Sequence, residues 1–288
     1  MSNKVVFILS IIVSISVLIS INLGYAYYKV AKIPGYTPKS YLRTIPNKDK
    51  TVICFVGDSI TQGSIGENYI NILAKQLGDQ KYEYINAGIN GELAWHVTKR
   101  LDEIKQCKPD IITILIGTND AGLSLSSDSL EYAKNELGLP AKPDMEWFRK
   151  NLLIIIDRLK RGTNAHIAVL SLPTIGENPN DFAYRQSGYY SQIIKSVAKD
   201  ENIAYLPLHE KMHEYFLSKP GKSVDMKKQK TNMNKAIVGR YLWGKDNQKI
   251  SESRGYDLHI GALHLNKAGA QMVANLLGKY IKKLPRHQ

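Results

Sequence analysis

Thr51-Val52-Ile53-Cys54-Phe55-Val56, running into Gly57-Asp58-Ser59-Ile60-Thr61, is the stretch from which the rest of the chain can be read. A short apolar run rich in β-branched residues predicts a buried strand, and Gly57-Asp58 ends it with a turn that lifts Ser59 out at the strand's C-terminal end. In open α/β sheets ligands bind at that edge. A serine placed there is a candidate nucleophile, although a serine or aspartate before a helix serves equally well as a cap.

Downstream, further strand-like apolar runs follow at Tyr82–Ile85, Ile111–Ile116, His166–Leu170 and Ile203–Leu206. Segments with helical spacing lie between them, at Tyr69–Leu77, Leu93–Ile104, Trp147–Leu159 and Tyr189–Ala198, and a last helix over Lys267–Lys283 closes the chain. Short apolar strands separated by single helices predict parallel βαβ units, hence an α/β fold with helices on both faces of one sheet. A chain of 288 residues with 43% apolar content is long enough for one such domain, and neither disordered nor fibrous. The domain is expected over 51–288. Two regions fit the alternation poorly, 121–144 and 219–255, and read as insertions on the rim of the sheet.

Val5 to Leu23 carries no charge and, as a helix, covers close to the ~30 Å of a bilayer core. Residues 1–26 therefore read as a membrane anchor or a signal peptide, with Gly24-Tyr25-Ala26 as a small-x-small cleavage site, and the length of the run favours an anchor. Residues 27–50, with Pro34, Gly35, Pro38 and Pro46, read as a linker. Lys4 on one side and Lys29, Lys32, Lys39 and Arg43 on the other leave the positive-inside rule undecided. The expected location is the cell membrane with an extracytoplasmic domain, or secretion.

The net charge of +13 is uneven: nine cations against Asp225 and Asp246 lie between Lys219 and Lys249, about +7 of the excess. Such a stretch suits contact with an anionic surface such as lipid headgroups, or a solvated insertion. No aromatic-basic interleaving or binding module points to nucleic acid. Cys54 and Cys107 are two thiols near the sheet, more readily buried and free than paired.

Acyl transfer at a serine needs a base for the hydroxyl proton and donors for the oxyanion, converging at one sheet edge. The second strand ends in Asn86-Ala87-Gly88-Ile89-Asn90-Gly91-Glu92, the third in Gly117-Thr118-Asn119-Asp120, and His264-Leu265-Asn266 precedes the final helix. In these blocks, from about Thr51 to Lys283, the chain resembles the SGNH (GDSL-type) hydrolases. The resemblance implies a three-layer α/β/α sandwich around a five-stranded parallel, flavodoxin-like sheet. It implies Ser59 as nucleophile, His264 as base, and an oxyanion hole from the N–H groups of Ser59 and Gly91 and the side-chain amide of Asn119. It implies a serine esterase or lipase acting on small-molecule or lipid esters, without cofactor or metal.

One position departs from the family. The residue three before the histidine, usually an orienting aspartate, is Gly261. Loss of such a carboxylate from a serine-protease triad costs about 10⁴ in turnover. A backbone carbonyl could orient His264 in a Ser-His dyad, Asp257 could reach in from the preceding turn, or the protein could be a degenerate, surface-binding relative. A different chemistry is carried by His209-Glu210-Lys211-Met212-His213, the H-E-x-x-H pattern of zinc proteases, for which a third ligand would have to come from an unmarked residue such as Glu252. Its place directly after a strand reads more simply as a surface helix. His96 and His166 read as surface and strand-edge residues, His259 as a possible substrate contact, and Tyr184, Tyr189 and Tyr190 as packing residues.

Overall fold

The computed structural model describes residues 3–285 apart from Pro46, Lys48, Leu137, Pro220, Lys222, Val224 and Asp225. Lys222 and Asp225 of the basic stretch and Pro46 of the linker thus lie outside the described residues, as do Met1 and Ser2 of the N-terminal segment.

Five strands, β1 (Thr51–Gly57), β2 (Tyr82–Gly88), β3 (Ile111–Leu115), β4 (His166–Leu170) and β5 (Ala204–Leu206), form one sheet in the order β2-β1-β3-β4-β5, all parallel. Along the chain run α1 (Asn3–Ala31), α2 (Pro38–Tyr41), α3 (Ser59–Gln62), α4 (Tyr69–Leu77), α5 (Ala94–Val97), α6 (Leu101–Gln106) and α7 (Thr118–Leu123). They are followed by α8 (Ser127–Glu136), α9 (Met145–Gly162), α10 (Phe182–Asp200), α11 (Leu208–Ser218), α12 (Gln229–Tyr241), α13 (Asn247–Glu252) and α14 (Lys267–Ile281).

The alternation of side chains along β1 builds two cores. Val52, Cys54 and Val56 join Phe148, Leu152, Tyr190 and Ile194 of α9 and α10 on one face. Ile53 and Phe55 join Leu73, Phe216 and Val273 of α4, α11 and α14 on the other. Both faces are covered, which is why the strands are continuously apolar. The three layers are those expected from the strand and helix alternation. Strand order reverses between β1 and β3, so the loops leaving those strands diverge and open a crevice at their C-terminal ends.

Three local readings differ. The single helix expected over Leu93–Ile104 is broken into α5 and α6, because Arg100 turns back to bind Glu92 and the carbonyl of Gly57 at 3.2 Å. The N-terminal apolar helix does not end at residue 26; α1 runs on to Ala31, since backbone helicity is indifferent to Lys29, the first charge after the apolar run. The linker is not free chain either. Tyr36 bridges to Ile85, its carbonyl accepts from the Asn86 N–H at 2.6 Å, and Tyr41 of α2 is buried. Cys54 and Cys107 are buried free thiols.

Candidate active site

Ser59 opens α3, where Asp58 caps the helix by accepting from the Ile60 N–H at 3.0 Å. The cap and nucleophile readings of this block therefore describe one turn: Asp58 is the cap and Ser59 projects from the first helical position. The turn packs tightly against the ends of its strands. A Cβ on Gly88 would come within 2.3 Å of the Gln62 N–H nitrogen, so only glycine fits there.

Strand register brings the other blocks to the same edge. Gly57 pairs with Gly88 on one side and with Leu115 on the other, so Ser59, Gly91 and Asn119 follow three adjacent strands within two to four residues of their paired ends. Gly91 has φ +77°, which glycine adopts freely, and a Cβ there would meet nothing within 4 Å. Open space thus lies in front of this turn. Among the described residues, the N–H groups of Ser59 and Gly91 have no backbone acceptor. The Asn119 amide is oriented by donating one bond to the Glu92 carbonyl at 2.9 Å, which leaves its second hydrogen available.

His264 arrives from the far end of the chain. Its Nε2 lies 3.0 Å from Ser59 Oγ, between residues 205 positions apart, and both side chains are buried at 7% and 8% exposure. The hairpin that carries it is fixed by backbone bonds: Ile260 N–H to His264 O at 2.8 Å, Asn266 N–H to Leu258 O at 3.0 Å, Glu67 N–H to Leu265 O at 2.8 Å and Gly176 N–H to Ala262 O at 2.8 Å. Burial drives the imidazole down to about 4 from its ordinary 6.5, and the neighbouring His259 adds to the shift. At neutral pH His264 is therefore the free base, with Nε2 facing the hydroxyl.

Asp257 does not orient His264. Its Oδ2 accepts from Tyr215 OH at 3.2 Å and pairs with Lys219 at 2.8 Å, at the outer edge of α11. Nor does His259 face the crevice. It is fully buried, with Nδ1 3.0 Å from Glu177 Oε1 and Nε2 2.8 Å from the Thr174 carbonyl. Both ring nitrogens thus face oxygen atoms, one of a carboxylate and one of a backbone carbonyl. Glu177 also accepts from the N–H groups of Asp257, Leu258 and His259 at 2.8, 2.7 and 2.9 Å. Burial alone would raise the Glu177 carboxyl, but the bond and charge of His259 and these backbone donors hold it below its ordinary range.

Glu177 was invisible in the sequence, a single acid in a loop 82 residues from its partner. Arg100 was too. Its guanidinium clasps Glu92 through Nε at 2.8 Å and holds the Gly57 carbonyl, tying β1 to the Gly91-Glu92 turn. Burial raises the Asp58 and Asp120 carboxyls to about 7, against the opposing backbone bonds from Ile60 and Ala94. Below neutral pH both are largely uncharged.

The H-E-x-x-H side chains sit on α11, where Glu210 and His213 are engaged in packing bonds and the His209 ring packs against Tyr184 and His213. Glu210 accepts from Ser171 at 2.9 Å and Tyr205 at 2.6 Å, and His213 Nδ1 bonds Tyr184 OH at 2.9 Å. Glu252 belongs to α13 and accepts from Gln248 at 3.1 Å. Tyr184 and Tyr190 are buried packing residues, while Tyr189 is exposed.

Known proteins share this frame. The chain superposes on an acetyl xylan esterase, AlAXEase, with a TM-score of 0.54 at 23% identity, over 80% of this chain and 99% of that one. It matches the acetylxylan esterase Axe2 of Geobacillus stearothermophilus with a TM-score of 0.51 at 17% identity, over 84% and 100%. A lipase/acylhydrolase of Enterococcus faecalis gives a TM-score of 0.53 at 18% identity, over 83% and 100%. No curated protein matches the sequence. At these identities the structures speak for the fold, and a family model speaks for more: that of the GDSL-like lipase/acylhydrolases matches residues 55–272. With that match over most of the chain, and its marker serine and histidine in contact at the crevice, the protein belongs to the GDSL-like lipase/acylhydrolase family of serine ester hydrolases.

Proposed function

We propose that Ser59 and His264 form a catalytic dyad that hydrolyses carboxylic esters of lipid or cell-envelope molecules at a membrane surface. The 3.0 Å approach of Nε2 to Oγ carries this reading, because nothing local in the sequence forces that pair together. His264 takes the proton as Ser59 Oγ attacks the ester carbonyl, and the tetrahedral oxyanion is received by the N–H groups of Ser59 and Gly91 and the Asn119 amide. His264 then protonates the leaving alcohol, and water, activated by the same base, releases the acid. The orienting role of the missing aspartate falls to the backbone-fixed hairpin. The neighbours' names favour small acyl groups, whereas the apolar helix α1 favours membrane-resident esters. Turnover of p-nitrophenyl esters from acetate to palmitate separates the two, and labelling of wild type by a fluorophosphonate tests the dyad itself.

Three results are expected of this site. Asn119→Ala removes one oxyanion donor and is expected to lower kcat about 10²–10³-fold with little change in KM, in steady-state assays on p-nitrophenyl acetate. Unchanged kcat removes Asn119 from the hole. Because the base titrates near 4, kcat/KM is expected to stay level as the pH falls to about 4, instead of declining from 6.5. Gly261→Asp should be accommodated, since the nearest atom to a new Cβ is Gln229 Oε1 at 3.8 Å. A carboxylate placed there favours the imidazolium and should move the acid limb upward. An acid limb near 6.5 in wild type contradicts the assignment.

A further inference from the structure

The end of α1 is built into the wall of the catalytic crevice. The carbonyl of Val30, one of the last-turn carbonyls that a helix leaves without an intrahelical partner, accepts from Gln62 Nε2 at 2.8 Å, Ser64 Oγ at 2.7 Å and Asn90 Nδ2 at 3.0 Å. Gln62 ends the helical turn that Ser59 begins, and Asn90 precedes Gly91. Ala26, one turn earlier, is 1% exposed and packs on Ile65 and on Ile237 of α12. From the other side, α12 is stitched to the same loop: Tyr241 OH donates to the Ser64 carbonyl, and Arg240 donates to that of Gly66. Gly66 in turn lies against the base, for a Cβ there would come within 3.3 Å of the Cβ of His264.

Below this junction the described residues give α1 no protein cover. None of its most apolar window is buried, and Val5 to Leu23 present exposed apolar side chains over a length that spans a bilayer core. With that segment in hydrocarbon, Val30 stands seven residues, or about 10 Å, above the boundary. That height lies at or just above the headgroup layer. The residues at this level are those that belong there. Tyr25, Tyr27 and Tyr28 are exposed on α1, and Trp243, 67% exposed, lines a groove between α12 and α1 with Leu23 and Tyr27. Lys32, Lys235, Lys245 and Lys249 are exposed around it, and Lys245 Nζ lies 5.2 Å from the Trp243 ring. Near an anionic leaflet such cations are drawn to the surface.

We propose that the end of α1, α12 and Trp243 form a collar that seats the crevice on the headgroups of an anionic bilayer, and that α1 is retained in the working enzyme. The esters hydrolysed are then those of molecules residing in the membrane. This substrate class rests on the Ser59–His264 reading; the seating does not. Cleavage after Ala26 would cut an unbroken helix at a buried position and remove the contact of Ala26 with Ile65 and Ile237.

The test uses the full chain reconstituted in phosphatidylglycerol vesicles. Trp243 fluorescence, taken as the difference between wild type and Trp243→Phe, is expected to be quenched by lipids brominated high on the acyl chain. Lys235→Glu/Lys245→Glu is expected to weaken that quenching. A ten-residue Gly/Ser insertion between Leu23 and Gly24 keeps the docked turn but lifts the collar. It should leave p-nitrophenyl acetate turnover unchanged and lower hydrolysis of a vesicle-embedded fluorogenic phosphatidylglycerol at least about tenfold, through loss of effective concentration. Unquenched Trp243, wild-type hydrolysis of the embedded ester by the insertion variant, or a mature N-terminus at Tyr27 overturns the proposal. Failure of the dyad reading shows separately, as p-nitrophenyl acetate turnover that survives Ser59→Ala.

Discussion

Ser59→Ala is expected to lower ester turnover by at least about 10⁴-fold while the protein remains folded, and the size of the drop measures how well His264 is held. In a serine protease with its carboxylate intact, losing the nucleophile costs about 10⁶, whereas losing the carboxylate alone costs about 10⁴. If the imidazole of this enzyme were as poorly oriented as in such a carboxylate mutant, wild type would already stand near the floor set by the oxyanion hole. Removing Ser59 would then cost only about 10² more. The hairpin around His264 is fixed by four backbone bonds and places Nε2 3.0 Å from Oγ, which argues for the larger drop. Single-turnover assays on p-nitrophenyl acetate, with fluorophosphonate labelling as a count of competent sites, check it. Labelled wild type with a drop near 10² would show a nucleophile in place and a base out of register.

The second large effect is on stability. Glu177 and His259 are both fully buried, and Glu177→Ala leaves the His259 ring and three N–H groups without their acceptor. Removing one member of such a pair typically costs about 3–5 kcal/mol, a large share of the stability of a domain. Replacing both members by apolar residues, as in Glu177→Met/His259→Phe, is expected to cost less than either single change, because no buried charge is left alone. Urea midpoints of the full chain in detergent, taken at several pH values, measure both effects. Since the hairpin carries His264, Glu177→Ala is also expected to lower kcat more than it raises KM.

The pH dependence separates the two histidine environments. Glu177 titrates below its ordinary 4.5 in the folded state, so its contribution is present above that value and is lost as pH falls through the folded value. His264 titrates near 4 folded and 6.5 unfolded, so the unfolded chain binds the extra proton first and stability falls as pH drops from 6.5 to about 4. Wild type should therefore weaken in both windows, and Glu177→Gln only in the upper one. A Glu177→Gln profile that still falls steeply below 4.5 would place the lower transition elsewhere.

Strand positions, the parallel sheet and the Ser59, Gly91 and Asn119 turns were legible because they follow from short-range chemistry. Side-chain alternation, β-branched runs and glycine-bearing turns act within a few residues. His166–Leu170 and Tyr69–Leu77 match their expected limits for that reason. The Ala31 end of α1 was not legible, because hydropathy changes at Lys29 while helicity does not. His259 was misplaced as a substrate contact because its type suits catalysis, and only its burial against Glu177 shows otherwise.

By itself, then, the amino-acid order determined the layers of the domain and which loops share an edge, since periodicity and turn chemistry are local properties. Tertiary structure alone decided how His264 is held without a carboxylate at position 261, that Asp257 serves Tyr215 and Lys219, and that Val30 closes on the residues beside Ser59. Those contacts join residues tens to hundreds of positions apart. Their energies depend on burial and mutual geometry, which no single stretch of chain encodes.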